Sequence, residues 1–201
     1  MKNLKPLLVF DADKVLLDWI GGFLSFLKDT GHCVKHLEQY IGTTAFLTTE
    51  EMTKSDCKRY NREVLDKFVE SGYLRKLDTF QVDAKEILME LKKEFDFAIV
   101  TCIGTDEESI NQRHENIELR YGDIFLDVIC IGFHESKEHP LRELAKTRNV
   151  VGFVDDRPKH LEEAISAGIK PILMSRGVDV CPVNAERYNV ISCLSEIKNI
   201  L

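Results

Sequence analysis

Apolar residues gather in five short runs, Leu7 to Phe10, Phe97 to Val100, Leu126 to Ile131, Val150 to Val154 and Pro171 to Met174. Such brief, largely unbroken, β-branched-rich runs read as strands buried on both faces. Around the last four runs the apolar positions take on helical spacing. Val82 to Lys93 sets Val82, Ile87, Leu88 and Leu91 on one stripe, Asp106 to Tyr121 and Leu141 to Lys146 repeat the pattern more weakly, and Lys159 to Ala167 stops before Gly168, a natural C-cap. Strand alternating with helix predicts an α/β fold, a doubly wound (Rossmann-like) parallel sheet of about five strands with right-handed crossovers.

The first interval breaks this rhythm. About 85 residues separate the first two runs, where a crossover needs roughly a dozen. The excess reads as helices: Trp19 to Lys28, Val34 to Tyr40, and a long one from Thr48 to Gly72 along the stripe Met52, Tyr60, Val64, Leu65, Phe68, Val69. Thr48 with Glu51 fits a capping box at its start. The expected organisation is a core domain of residues 1–17 and 78–201, with residues 18–77 inserted after the first strand as a small helical cap.

Composition narrows the partners. With 44% hydrophobic and 30% charged residues the chain is an ordinary globule, and its net charge of -7 argues against a broad nucleic-acid footprint. The six cysteines, Cys33, Cys57, Cys102, Cys130, Cys181 and Cys193, form no C-x-x-C pair and read as reduced thiols. The opening residues lack a signal-peptide core and no apolar stretch reaches membrane-spanning length, so the expectation is a cytoplasmic protein without membrane contact. A homodimer is compatible with the sequence.

The candidate chemistry sits where the apolar runs end. The first delivers Asp11-Ala12-Asp13, whose i, i+2 spacing starts the two carboxylates on one side of an extended chain, and the fourth delivers Asp155-Asp156. Thr101 closes the second run, and Lys137 follows the third before the helix near Pro140. Each has a plain structural reading: a solvated pair opening a turn, a turn threonine, a surface lysine, an N-cap. Four such features at the carboxyl edge of one sheet, where ligands bind in open α/β folds, point instead to a cation site with chemistry attached.

In this order the residues resemble the haloacid dehalogenase-like (HAD) phosphohydrolases along the whole chain. The segment Asp11 to Phe23, the stretch Gly72-Tyr73-Leu74 into Leu77, and Val154-Asp155-Asp156-Arg157-Pro158 are similar to the 5'(3')-deoxyribonucleotidases. The resemblance implies a Mg²⁺-dependent phosphatase with an aspartyl-phosphate intermediate, Asp11 as nucleophile and Asp13 as general acid and then base. Thr101 and Lys137 would grip the phosphoryl oxygens, Lys146 being a poorer substitute for Lys137. Mg²⁺ would be held by the Asp11 side chain, the Asp13 backbone carbonyl and Asp156, with Asp155 acting through water or in its place.

The implied partner is a small phosphorylated molecule, a nucleoside monophosphate. Lys14, Trp19, Phe23 and Cys102, with Phe46, are the candidate substrate contacts, although Trp19 and Phe23 at i, i+4 equally suit a helix core. Lys14 stands where that family usually has glycine, a position that tolerates lysine if φ stays negative. Three other functions compete: a phosphatase of polynucleotide ends or of a non-nucleotide metabolite, a catalytically silent phosphate- and Mg²⁺-binding protein of the same fold, and a phospho-receiver domain. The second acid pair on the fourth strand and the long insert weigh against a receiver.

Overall fold

A computed structural model describes residues 4–177 and 185–201. Met1 to Asn3 and Cys181 lie outside the described residues. Among the described residues six strands form one sheet: β1 (Leu7–Phe10), β2 (Asp96–Cys102), β3 (Phe125–Ile131), β4 (Val150–Asp155), β5 (Pro171–Met174) and β6 (Asn189–Ile191). Their order is β3-β2-β1-β4-β5-β6 and every pairing is parallel. The expected count of about five is one short, because the three residues of β6 are too few to stand out as an apolar run.

Alternation along β1 explains how the sheet is sandwiched. Leu8 and Phe10 face a cluster with Phe97, Ile99, Leu88, Leu91, Ile117 and Tyr121, whereas Leu7 and Val9 join Ala98, Val100, Leu141, Phe153 and Leu161 on the other side. The helices α4 (Ala84–Leu91) and α5 (Glu107–Tyr121) contribute to the first cluster, and α6 (Glu138–Thr147) and α7 (Pro158–Ser166) to the second. α4 buries Ala84, Leu88 and Leu91. Val82, expected on that stripe, precedes the helix and is 96% exposed. Gly168, at φ 76°, follows α7 as its sequence suggests.

Residues 18–77 supply three helices, α1 (Trp19–Asp29), α2 (Thr49–Thr53) and α3 (Lys58–Glu70), with 3₁₀ turns at Lys35–Tyr40 and Tyr73–Lys76. The Thr48–Glu51 capping box is formed, but the long helix expected behind it is broken. Lys54 turns left-handed at φ 53°, and short polar side chains then capture the backbone: Asn61 Nδ2 donates to the Ser55 carbonyl at 2.8 Å and Thr53 Oγ1 to Asn61 Oδ1 at 2.6 Å. Such local bonds compete with helix continuation. Asp18 N–H donates to the Asp78 carbonyl and Phe80 N–H to the Leu16 carbonyl, both at 2.8 Å, so the chain leaves and re-enters the sheet domain side by side. Among the described residues no helix is long and apolar enough to cross a membrane.

Candidate active site

Strand order decides where the acids meet. The chain winds from β1 outward to β3 on one side and from β4 to β6 on the other, so the crevice at the carboxyl ends of β1 and β4 is the topological switch point. Asp11 follows β1 there, its N–H bonded to the Val154 carbonyl at 2.8 Å, and Asp155 ends β4 beside it.

Lys137, at the N-terminus of α6, joins these two strand ends. Its Nζ lies 2.8 Å from Asp11 Oδ1 and 2.8 Å from Asp155 Oδ2, and all three side chains are buried. His160, on the first turns of α7, places Nδ1 3.0 Å from Asp155 Oδ2, and the Arg157 N–H donates to Asp155 Oδ1 at 2.7 Å. Lys146, the alternative to Lys137, is exposed and pairs with Glu143.

These contacts separate the two acids electrostatically. Burial, only partly opposed by Lys137, lifts Asp11 to about 7. Asp155 is as deeply buried, yet Lys137 and His160 outweigh that and hold it down to about 2. Burial lowers His160, but the Asp155 carboxylate prevails and raises it to about 9. The same two carboxylates raise Lys137 against its own burial. At neutral pH Asp155 is thus a fixed anion between two cations, and Asp11 titrates.

The remaining predicted residues stand around this floor. Thr101 Oγ1 is buried and has no hydrogen-bond partner among the described residues, an unmet polar group at the β2 strand end. Asp13 is partly open and accepts from Arg113 Nη2 of α5 at 2.7 Å. Asp156 meets Lys14, with Nζ to Oδ2 at 3.0 Å. Lys14 does not keep φ negative: it sits at φ 60°, where the chain folds back through Leu16 and Leu17 N–H bonds to the Ala12 carbonyl.

Trp19 and Phe23 stack on each other with ring centroids 5.0 Å apart and meet Phe68 edge-on. Phe23 is fully buried in this cluster and shows no face to a ligand, a correction of its candidate role, because the helix turns it into the interior of the insert. Trp19 is partly buried. Cys102 is half-buried beside His160. Phe46, in contrast, is 62% exposed, lies 5.1 Å from the Arg157 guanidinium, and lines with Asp156, Arg157 and Met174 a cleft of about 240 Å³. Two bonds fasten this part of the insert to the segment after β5: Thr44 N–H to the Arg176 carbonyl and Arg176 N–H to Thr44 Oγ1, each 2.9 Å.

Arg113 and His160 are not among the residues selected from the sequence. The signal for Arg113 is the weak apolar pattern of Asp106 to Tyr121: α5 packs on the sheet although it is polar, and buries Ser109, Gln112, Arg113 and Asn116. His160 carries no comparable signal.

Asp11, Asp155 and His160 bring potential metal-ligating atoms within 4.8 Å of one another. Lys137 and His160 already neutralise that group. Asp13 and Asp156 carry the other carboxylates that act on Asp11. Both Asp13 and Asp156 push the Asp11 carboxyl upward, and all three offer oxygen ligands of the kind Mg²⁺ takes.

The chain matches no family model. It is 25% identical over 186 residues to an uncharacterized 32.4 kDa protein in the Gp30-rIII intergenic region of Enterobacteria phage T4, a match covering 92% of this chain and 66% of the phage protein. The chain thus spans slightly less than two thirds of that relative. Among solved structures, a dehalogenase with an intermediate complex superposes with a TM-score of 0.66 at 16% identity, covering 100% of this chain and 98% of that one. A HAD-superfamily hydrolase of subfamily IA from Geobacter sulfurreducens gives 0.62 at 16%, covering 98% and 96%. The fold is therefore the Rossmann-like α/β fold of the HAD-superfamily hydrolases.

Proposed function

We propose that the protein is a phosphate monoester hydrolase acting on nucleoside monophosphates through an aspartyl-phosphate. The reading rests on Asp11, set at the switch point against Lys137 with the unpartnered Thr101 hydroxyl at the neighbouring strand end. In it an Asp11 oxygen attacks phosphorus, the phosphorus–oxygen ester bond breaks, and the leaving oxygen takes a proton from Asp13. Asp13, now ionised, takes a proton from water as the water attacks the same phosphorus, and the bond to Asp11 breaks to free inorganic phosphate and regenerate both acids. Thr101 and Lys137 hold the non-bridging oxygens as charge builds on them. Asp11, Asp13 and Asp156 would hold Mg²⁺, which when bound supplies further positive charge to the phosphoryl group.

Residues 18–77 serve as the cap over this site. The base of the substrate would lie on Phe46, whose exposed ring opens on the cleft beside Asp156, rather than on Phe23. The small cleft and the acidic chain favour a mononucleotide over a polynucleotide end.

Nucleoside 5'- and 3'-monophosphates, incubated with Mg²⁺ and assayed for released phosphate, test the reading. Turnover is expected for the wild type, with a loss of about a thousandfold or more in Asp11→Asn. Equal rates for the two proteins would remove the nucleotidase assignment. Halide released from a 2-haloacid, with no phosphate from any nucleotide, would assign the site to the chemistry of its dehalogenase neighbours.

A further inference from the structure

Lys14 combines two observations that the proposed reaction does not use. Its backbone lies at φ 60°, a left-handed conformation that is unfavourable for a residue with a Cβ and that glycine adopts freely. Its Nζ also reaches Asp156 Oδ2 at 3.0 Å, with both side chains nearly buried. Lys54 occupies the same backbone region, but as an exposed residue ending a short helix. At Lys14 the unfavourable conformation carries a side chain directly to an acid of the catalytic rim.

The surroundings of the ammonium fix what it does there. Besides Asp156 it has the Ala45 carbonyl at 3.4 Å and the Phe46 ring at 5.8 Å to the centroid, both from the insert. The Asp156 side chain is only 4% exposed, so little water is left to compete with the ammonium for its carboxylate. One positive charge thus already satisfies the carboxylate that a divalent ion would need. A carboxylate in contact with an ammonium must give up that pair before it can ligate a metal, and the exchange weakens the apparent affinity for the ion.

We propose that Lys14 is a built-in competitor for Asp156, an internal cation that the divalent ion must displace to complete its coordination. The proposal rests on the metal-binding part of the function above and adds a feature specific to this chain: a high cation threshold set by one side chain. Displacement would swing the ammonium toward the cleft beside Phe46, where it faces an anionic substrate, so metal binding and substrate binding would reinforce one another.

Titration of Mn²⁺ into the full chain, with bound ion measured by calorimetry and free ion by electron paramagnetic resonance, tests this without any assay of turnover. Lys14→Met keeps the length and the backbone conformation but removes the charge, and Lys14→Gly also relieves the left-handed residue. Both are expected to bind Mn²⁺ about tenfold more tightly than wild type or better. The gain should vanish when Asp156→Asn is added to Lys14→Met. Thermal melts identify any variant that fails to fold, and either lysine variant alone suffices for the comparison. Equal affinity in wild type and variants overturns the competition while leaving a metal-dependent enzyme intact. Absence of Mn²⁺ binding in every folded protein overturns both the competition and the metal requirement.

Discussion

The floor and the rim of the candidate site solve the same electrostatic problem differently. On the floor, Asp11 and Asp155 share Lys137, and His160 closes the group from behind; every partner comes from the sheet domain and all are buried. At the rim, Asp156 is held by Lys14, whose ammonium also leans on Ala45 and Phe46 of the insert. Buried charges are tolerated only when paired, so the acids of the floor depend on Lys137 and His160. The rim pair is next to a cleft, and its lysine can exchange partners. Shared charge below and exchangeable charge above would hold Asp11 in place while ligands come and go at the cleft.

Removing the cation shared by the floor should have the largest effect. Lys137→Met leaves Asp11 and Asp155 without their common partner in a buried site, and a loss of about 3–5 kcal/mol in unfolding free energy is expected by urea denaturation. A loss below about 1 kcal/mol would mean that the floor is hydrated and the contrast with the rim is false.

A smaller effect is expected from pH. His160 has its pKa raised from 6.5 to about 9 by Asp155, so its contribution is complete below 6.5 and disappears as pH rises through 9. Asp11, raised to about 7, loses stability in the folded state over the interval below 7 and is level above it. Unfolding free energy should therefore fall by about 2 kcal/mol between pH 7 and 9. His160→Gln should flatten that slope, and a variant with the wild-type slope would place the titration elsewhere.

The rim should respond least in stability and most in substrate affinity. Phe46→Ala removes an exposed ring and should change unfolding free energy by no more than about 0.5 kcal/mol. On a nucleoside monophosphate it should raise KM several-fold and leave kcat near wild type. A fall in kcat at unchanged KM would show that Phe46 bears on the reacting groups rather than on the base.

Legibility in the sequence followed the range of the interaction. β1 and β5 coincide with their apolar runs, and the Thr48–Glu51 capping box formed because a cap needs only its own turn. The long helix that the apolar stripe predicts behind it is broken because Asn61 reaches back to Ser55 and Thr53, a competition that apolar spacing does not record. Val82 failed because the stripe extends past the true N-terminus of α4. Within the site, strand-end position marked Asp11, Thr101 and Asp155, while Arg113 was hidden in a polar helix 100 residues from its partner Asp13. Phe23 and Phe46 carry the same chemical promise in the sequence, and only packing separates the buried ring from the open one.

The sequence by itself determined which segments become buried strands and that acids, a threonine and a lysine lie at their ends, because hydrophobic runs and strand alternation are local properties. The tertiary structure decided which charges meet. Lys137 reaches both Asp11 and Asp155, Arg113 takes Asp13, and Lys14 turns left-handed to Asp156. These pairings depend on strand order and on the burial that makes each pair obligatory, and neither is written in the spacing of residues along the chain.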